Sequence, residues 1–190
     1  MTTVSIIGKG NMGSAIAGLA EKAGHTVEAF DSSDADKPVT GDIVVLAVPH
    51  VAVSDVIAQR DDQLAGKVVV DITNPLDFAT FSLTVPADSS SAAQIAEALP
   101  SSRVLKAFNT NFGPTLAAGT VGEQPTTVLI AGDDADAKAQ LAEVVTGAGL
   151  KTADVGPLAR ARELEALGFL QIGLAATEQT AWTGGFALHG

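Results

Sequence analysis

With 190 residues, 46% of them hydrophobic, the chain can bury a real core and fits one domain more comfortably than two. Its net charge of −11, with acidic residues scattered along the sequence, argues against nucleic acid or an anionic membrane as partner, since phosphate arrays demand clustered Lys and Arg. The absence of cysteine excludes disulfides, thiol catalysis and cysteine-ligated metal, and nothing else has metal-ligand spacing, so no metal site is expected. No apolar run approaches the roughly 18 residues of a membrane span. The start, MTTVSIIG, lacks the basic region of a secretory signal, so the expected setting is cytoplasmic.

In chain order, Thr3 to Ile7 is short and β-branched and reads as a buried strand. Asn11 to Ala23 reads as a helix stopped by Gly24. Thr26 to Phe30 is the second strand, and Asp42 to Val48 the third, apolar enough to be covered on both faces. The intervening Ser32 to Gly41 holds Pro38 and is too short for an ordinary crossover helix. Val51 to Arg60 is helical and Lys67 to Ile72 is the fourth strand. The polar stretch from Asn74 to Ser91 is long for a connection, as binding segments and lids tend to be. Then come a helix at Ala92 to Leu99, strands at Arg103 to Phe108 and Thr126 to Ala131, a helix at Ala135 to Thr146 and a last strand at Leu150 to Val155. A helix from Leu158 to about Thr180 follows Pro157. Such alternation predicts one Rossmann-like domain over residues 1–190: a doubly wound, mostly parallel sheet with a C-terminal helix.

Three glycines sit at the first strand-to-helix junction. Gly8-Lys9-Gly10-Asn11-Met12-Gly13 fits G-x-G-x-x-G in the right context. In such a turn the first glycine permits the bend and the second lets a pyrophosphate reach the backbone. The third brings helix and strand together, and the helix N-terminus offers N–H groups to the anion. Asp31 closes the second strand near the ~20-residue spacing at which a ribose-binding carboxylate follows. An unliganded close-packed turn and an S-adenosylmethionine site are the competing readings.

Ligands of open α/β sheets lie beyond the carboxyl ends of the strands. There the sequence places Ala47-Val48-Pro49-His50, Thr73-Asn74-Pro75 and Asn109-Thr110-Asn111. His50 is the best-placed titratable group. Lys106 and Asn109 could polarise a carbonyl and protonate an alkoxide, or be no more than a snorkelling lysine and a turn asparagine. His25 lies at the opposite edge, and His189 in the tail.

Five motifs in order, GKGNMG, AVPH, DITNP, KAFNT and RELEALGFLQIGLA, resemble the coenzyme F420-dependent NADP oxidoreductase family, and more closely its short dinucleotide-binding relatives. The resemblance spans nearly the whole chain. It implies hydride transfer between a nicotinamide, near Pro49, His50, Asn74 and Pro75, and a flat redox carrier such as a deazaflavin or flavin, or a small carbonyl compound. The chain departs from the family after the second strand, where a Gly-Ser-Arg run holds the 2′-phosphate. Here the run is Asp31-Ser32-Ser33, with Lys37 nearby, so the residues favour NAD(H) while the family favours NADP(H). A non-catalytic dinucleotide-binding regulatory module is the alternative. The C-terminal helix, with Leu164, Leu167, Leu170 and Leu174 in a stripe and Phe169 and Ile172 beside it, is apolar nearly all round. A homodimer through that helix is therefore expected, with the tail of the second copy, Trp182 to His189, roofing the nicotinamide cleft.

Overall fold

The computed structural model describes residues 1–189. Strands β1 (Thr3–Ile7), β2 (Thr26–Phe30), β3 (Ile43–Leu46), β4 (Val68–Asp71), β7 (Arg103–Lys106), β10 (Thr127–Gly132) and β11 (Lys151–Gly156) form one seven-stranded sheet in the order β11-β10-β7-β4-β3-β1-β2. Helices α1 (Asn11–Lys22), α2 (Val53–Leu64), α3 (Ser91–Ala98), α5 (Ala135–Gly147) and α6 (Ala161–Ala176) cover its two faces. This is the doubly wound, Rossmann-like arrangement. Alternate strand residues divide the core. Val4, Ile6, Val45 and Val70 pack towards α1 and α5, while Ile7, Val44, Leu46 and Val69 pack towards α2 and α3.

The connection from β2 to β3 passes over β1, because β3 pairs with β1 on the side away from β2. A single 3-10 turn, Ser32–Asp34, stands in for a helix there. Arg60 of α2 makes this possible. Its guanidinium is buried, donates to the carbonyls of Asp34 (2.7 Å) and Lys37 (2.8 Å), and lies 5.3 Å from the centre of the Phe30 ring. Two carbonyls of a crossover without an α-helix are thus satisfied by one side chain, and Gln63 of the same helix accepts from the Val39 amide (2.8 Å).

Three short elements fall where the sequence reading saw none: the hairpin β5 (Leu76–Asp77) with β6 (Ser82–Leu83), helix α4 (Gly113–Ala118), and the hairpin β8 (Thr120–Val121) with β9 (Gln124–Pro125). Helix α4 is too short to carry the chain back across the sheet. It ends in left-handed Gly119 and leaves β10 antiparallel to β7. Only Ala131–Lys106 and Gly132–Leu105 pair, so the first half of β10 stands past the end of β7, where Thr127 accepts from the Asn111 amide. The pair β10–β11 is a wall beside the carboxyl edge of the parallel strands.

Candidate functional site

The glycine turn divides its work as the motif demands. Gly8 has φ +118°, and a Cβ there would collide with the Ala47 carbonyl; one on Gly13 would collide with the carbonyl of Gly8. Packing alone explains both. Gly10 is different: a Cβ on it would meet nothing within 4 Å. Gly10 is also the N-cap of α1, with no side chain accepting from the first-turn N–H groups and no acidic residue in that turn. An uncapped helix start facing open space is an anion site in waiting.

Beside it, a cavity of about 400 Å³ opens between the end of β1 and α2, lined by Gly8, Asp31, Ser32, Val48, Val56 and Arg60, among others. Its rim is a charge network. Asp31 accepts from Lys9 Nζ (2.9 Å) and from the Ser33 amide (2.9 Å) and hydroxyl. The Ser33 hydroxyl and then Lys9 hold its carboxyl down at about 2. Asp34 receives Lys37 (2.7 Å) and Lys9 (2.8 Å), which draw its carboxyl well below the ordinary range. Both carboxylates are therefore ionised at neutral pH, with two lysines paired to them at the rim.

At the ends of β3, β4 and β7 the expected residues come together, in roles the sequence did not foretell. Lys106 is completely buried. Its Nζ donates to Asp71 (2.8 Å), Glu165 (2.8 Å) and the Thr73 carbonyl (2.6 Å), which uses all three protons. Polarising a substrate carbonyl is closed to an ammonium so enclosed, and Lys106 is a tie between β4, β7 and α6. Asn109 likewise turns inward, donating to Asn74 Oδ1 (2.9 Å) and the Leu164 carbonyl (2.8 Å), while the Asn74 amide returns to the Asn109 carbonyl (2.9 Å). A Cβ on Gly168 would strike this asparagine pair, so α6 docks against the strand-end loops at a glycine.

His50 opens a short 3-10 turn after Pro49, half-buried, with Nδ1 3.1 Å from Ser91 Oγ. Burial pushes its pKa below the usual histidine value, against the raising influence of Asp71 and Glu165. Ser91 Oγ in turn lies 3.0 Å from Thr73 Oγ1. His25, at the opposite edge of the sheet, accepts from the Thr2 amide (3.2 Å).

Glu165 is the residue that sequence reasoning missed. Its carboxylate is 1% exposed and accepts from the Ser91 and Ala92 amides at the start of α3 as well as from Lys106. The buried face of α6 is Ala161, Leu164, Glu165, Gly168, Gln171 and Ala175, so of the leucine stripe only Leu164 is fully buried. Gln171 donates to the Thr110 carbonyl (3.1 Å) and accepts from the Phe186 amide (3.1 Å), so the tail folds onto its own chain, with Trp182 on Phe112. Within RELEALGFLQIG, a Glu and a Gln six apart on an otherwise apolar helix were the signal.

The family described as NADP oxidoreductase, coenzyme F420-dependent, matches residues 18–75. The chain is 30% identical to the F420-dependent NADP reductase of Methanocaldococcus jannaschii over 160 residues, 82% of this chain and 70% of that one. It is 39% identical over 106 residues to metalloreductase STEAP3 of Rattus norvegicus, covering 56% of this chain and only 21% of the relative. A solved structure of a candidate F420-dependent NADP reductase from Arthrobacter sp. FB24 superposes with TM-score 0.88 at 25% identity, covering all of both chains.

Replacing Lys106 with Met would strand two buried carboxylates, at a cost of roughly 3–5 kcal/mol. The measurement is the urea midpoint at unchanged m-value, and a shift below the equivalent of about 1 kcal/mol would refute the tie.

Proposed function

The chain belongs to the coenzyme F420-dependent NADP oxidoreductase family, whose members are NADP-dependent oxidoreductases, and from that premise we propose that residues 1–189 form one dinucleotide-binding unit that passes hydride to or from NADP(H). Gly10 carries the reading: it is the one glycine of the turn that the protein's own packing does not require. The pyrophosphate lies on the turn from Gly8 to Gly13, with Lys9, Asn11 and Met12 around it. The adenosine enters the cavity beside Asp31, Ser32 and Val48. The nicotinamide lies along Ala47, Pro49, His50, Thr73, Asn74 and Pro75. When bound, the cofactor supplies the hydride; the residues' work is to hold it and exclude water.

The partner in transfer is a flat redox carrier, a deazaflavin or flavin, or a small carbonyl compound. With Lys106 and Asn109 turned inward, the carrier is favoured, because transfer between stacked rings needs alignment and no strong acid. The same inward turn favours the second reading, a regulatory module that binds nucleotide without turnover. Substituting Gly10 with Val places a branched side chain in open space, so the fold survives. NADPH affinity in a fluorescence titration falls at least about tenfold, the scale of one lost charge-assisted contact; unchanged affinity in the folded variant refutes the nucleotide site.

Lys9, Lys37, Ser32 and Ser33 receive the 2′-phosphate in place of the family's arginine, with Lys9 leaving Asp31 to do so. The double change Lys9→Ala, Lys37→Ala is expected to weaken NADPH about tenfold more than NADH. Equal weakening, or a wild type that prefers NADH, gives the ribose to Asp31 and the cofactor to NAD(H).

We also propose a homodimer through α6, by way of the exposed part of the expected stripe at Leu170 together with the tail. Leu164 is buried in its own chain, whereas Leu170 (54%), Trp182 (52%), Phe186 (49%) and Leu188 (58%) remain exposed. Each such group gains roughly 1.5–3 kcal/mol from full burial. Light scattering at micromolar concentration should read twice the 19.1 kDa chain mass, and Leu170→Glu should return it to one; a wild-type monomer ends the idea.

A further inference from the structure

Helix α2 presents different residues to two separate cavities. Val56, Gln59 and Arg60 line the one assigned above to adenosine. On the other side, α2 and α3 enclose a second cleft of about 590 Å³, with Val53 and Ile57 facing Ile95 and small Ala58 and Ala98 leaving the space between them. Its size and mostly apolar lining are those of a small-molecule site. In a chain with 22 acidic and 11 basic residues, no Lys, Arg, Asp or Glu reaches this lining; His50 is its single titratable group. Val51, at the His50 end, is 84% exposed, an apolar side chain held in water beside the opening.

The polar features gather at that end. Ser91, 1% exposed, stands between Thr73 Oγ1 (3.0 Å) and His50 Nδ1 (3.1 Å). Its amide is fixed on Glu165 (3.0 Å), so its position is set by the buried ion cluster. Among the described residues, His50 Nε2 has no protein partner. Where Thr73 and Ser91 donate towards Nδ1, the imidazole proton sits on Nε2, and a neutral donor then borders an uncharged apolar cleft.

We infer that the cleft between α2 and α3 is a second binding site, for an uncharged, largely apolar small molecule that accepts a hydrogen bond from His50. The two cavities lie on opposite sides of α2, and the cleft shares only His50 with the position proposed above for the nicotinamide. Ionic ligands are selected against, as a buried charge there would have no partner. The apolar body of the ligand lies along Val53, Ile57 and Ile95, and its acceptor meets Nε2.

The test uses the full chain and two neutral probes: N-phenyl-1-naphthylamine, whose fluorescence rises in apolar surroundings, and menadione, an apolar diketone, as competitor. The naphthylamine should bind wild type and be displaced by menadione. Menadione bisulfite, an anionic relative, should compete at least about tenfold less well. Ala58→Phe should abolish probe binding while leaving NADPH titration unchanged, and Gly10→Val should do the reverse, which separates failure here from failure of the nucleotide site. His50→Leu should weaken menadione about tenfold and leave the naphthylamine within about twofold, since only the former loses a hydrogen bond. Absence of binding to wild type, equal competition by the anion, or unchanged binding in Ala58→Phe would each overturn the proposal. So would a change of molecular mass in Ala58→Phe, which would make the cleft a protein interface.

Discussion

One buried ammonium organises the carboxyl edge of the sheet. Asp71 and Lys106 are register partners on neighbouring strands, so their charges meet at the same level of the sheet, and Glu165 closes the cluster from α6. Desolvating three charges is costly, and such a cluster is weak evidence for stability in itself. Its value is positional. Lys106 grips the Thr73 carbonyl, Asp71 takes the Thr73 amide, and Glu165 caps the start of α3. An apolar replacement of the three could pack as tightly, yet nothing in it would fix the height at which Thr73-Asn74-Pro75 leaves the sheet. The loop thought to face the nicotinamide is therefore set by charge.

The strands and the glycine turn were legible because their causes are local. β-branched runs such as Ile43–Leu46 and Val68–Asp71, buried at every residue, announce strands covered on both faces, and the glycines sit where the first strand meets its helix. The interrupted crossover was legible in part: Pro38 and the short span excluded a helix, but nothing nearby in sequence pointed to Arg60 as its support. The reversal at β10 was hidden because alternation of strand and helix says nothing of direction when the connecting helix, α4, is only six residues long.

The site was harder to read for a different reason. Lys106 and Asn109 stand at a strand end, the right place for chemistry, but exposure is a property of what packs above them. That covering is α6, almost 60 residues on, and its approach depends on Gly168. Leucines drew attention to the outer surface of α6, while its inner surface is marked by Glu165 and Gln171. On a helix this apolar, the informative residues are the polar ones. A carboxylate or amide there has to be matched by a specific partner or it costs the fold several kcal/mol, on the order of a lost buried hydrogen-bond partner or more.

The charged rim of the cavity beside Gly8 follows the opposite logic to the buried cluster. Lys9, Asp31, Asp34 and Lys37 balance in charge, but Lys9, Asp31 and Lys37 are substantially exposed, so their pairings are cheap to exchange. On the reading proposed above, a 2′-phosphate at that rim would compete with Asp31 for Lys9 without unfolding anything, whereas Lys106 has no proton left to offer a ligand. Pairings that can be exchanged are kept in water, and pairings that hold the strand ends in place are kept out of it. Lys9, just past the end of β1, and Lys106, the last residue of β7, thus differ in duty because of what covers them, and over Lys106 that cover includes Glu165 of α6.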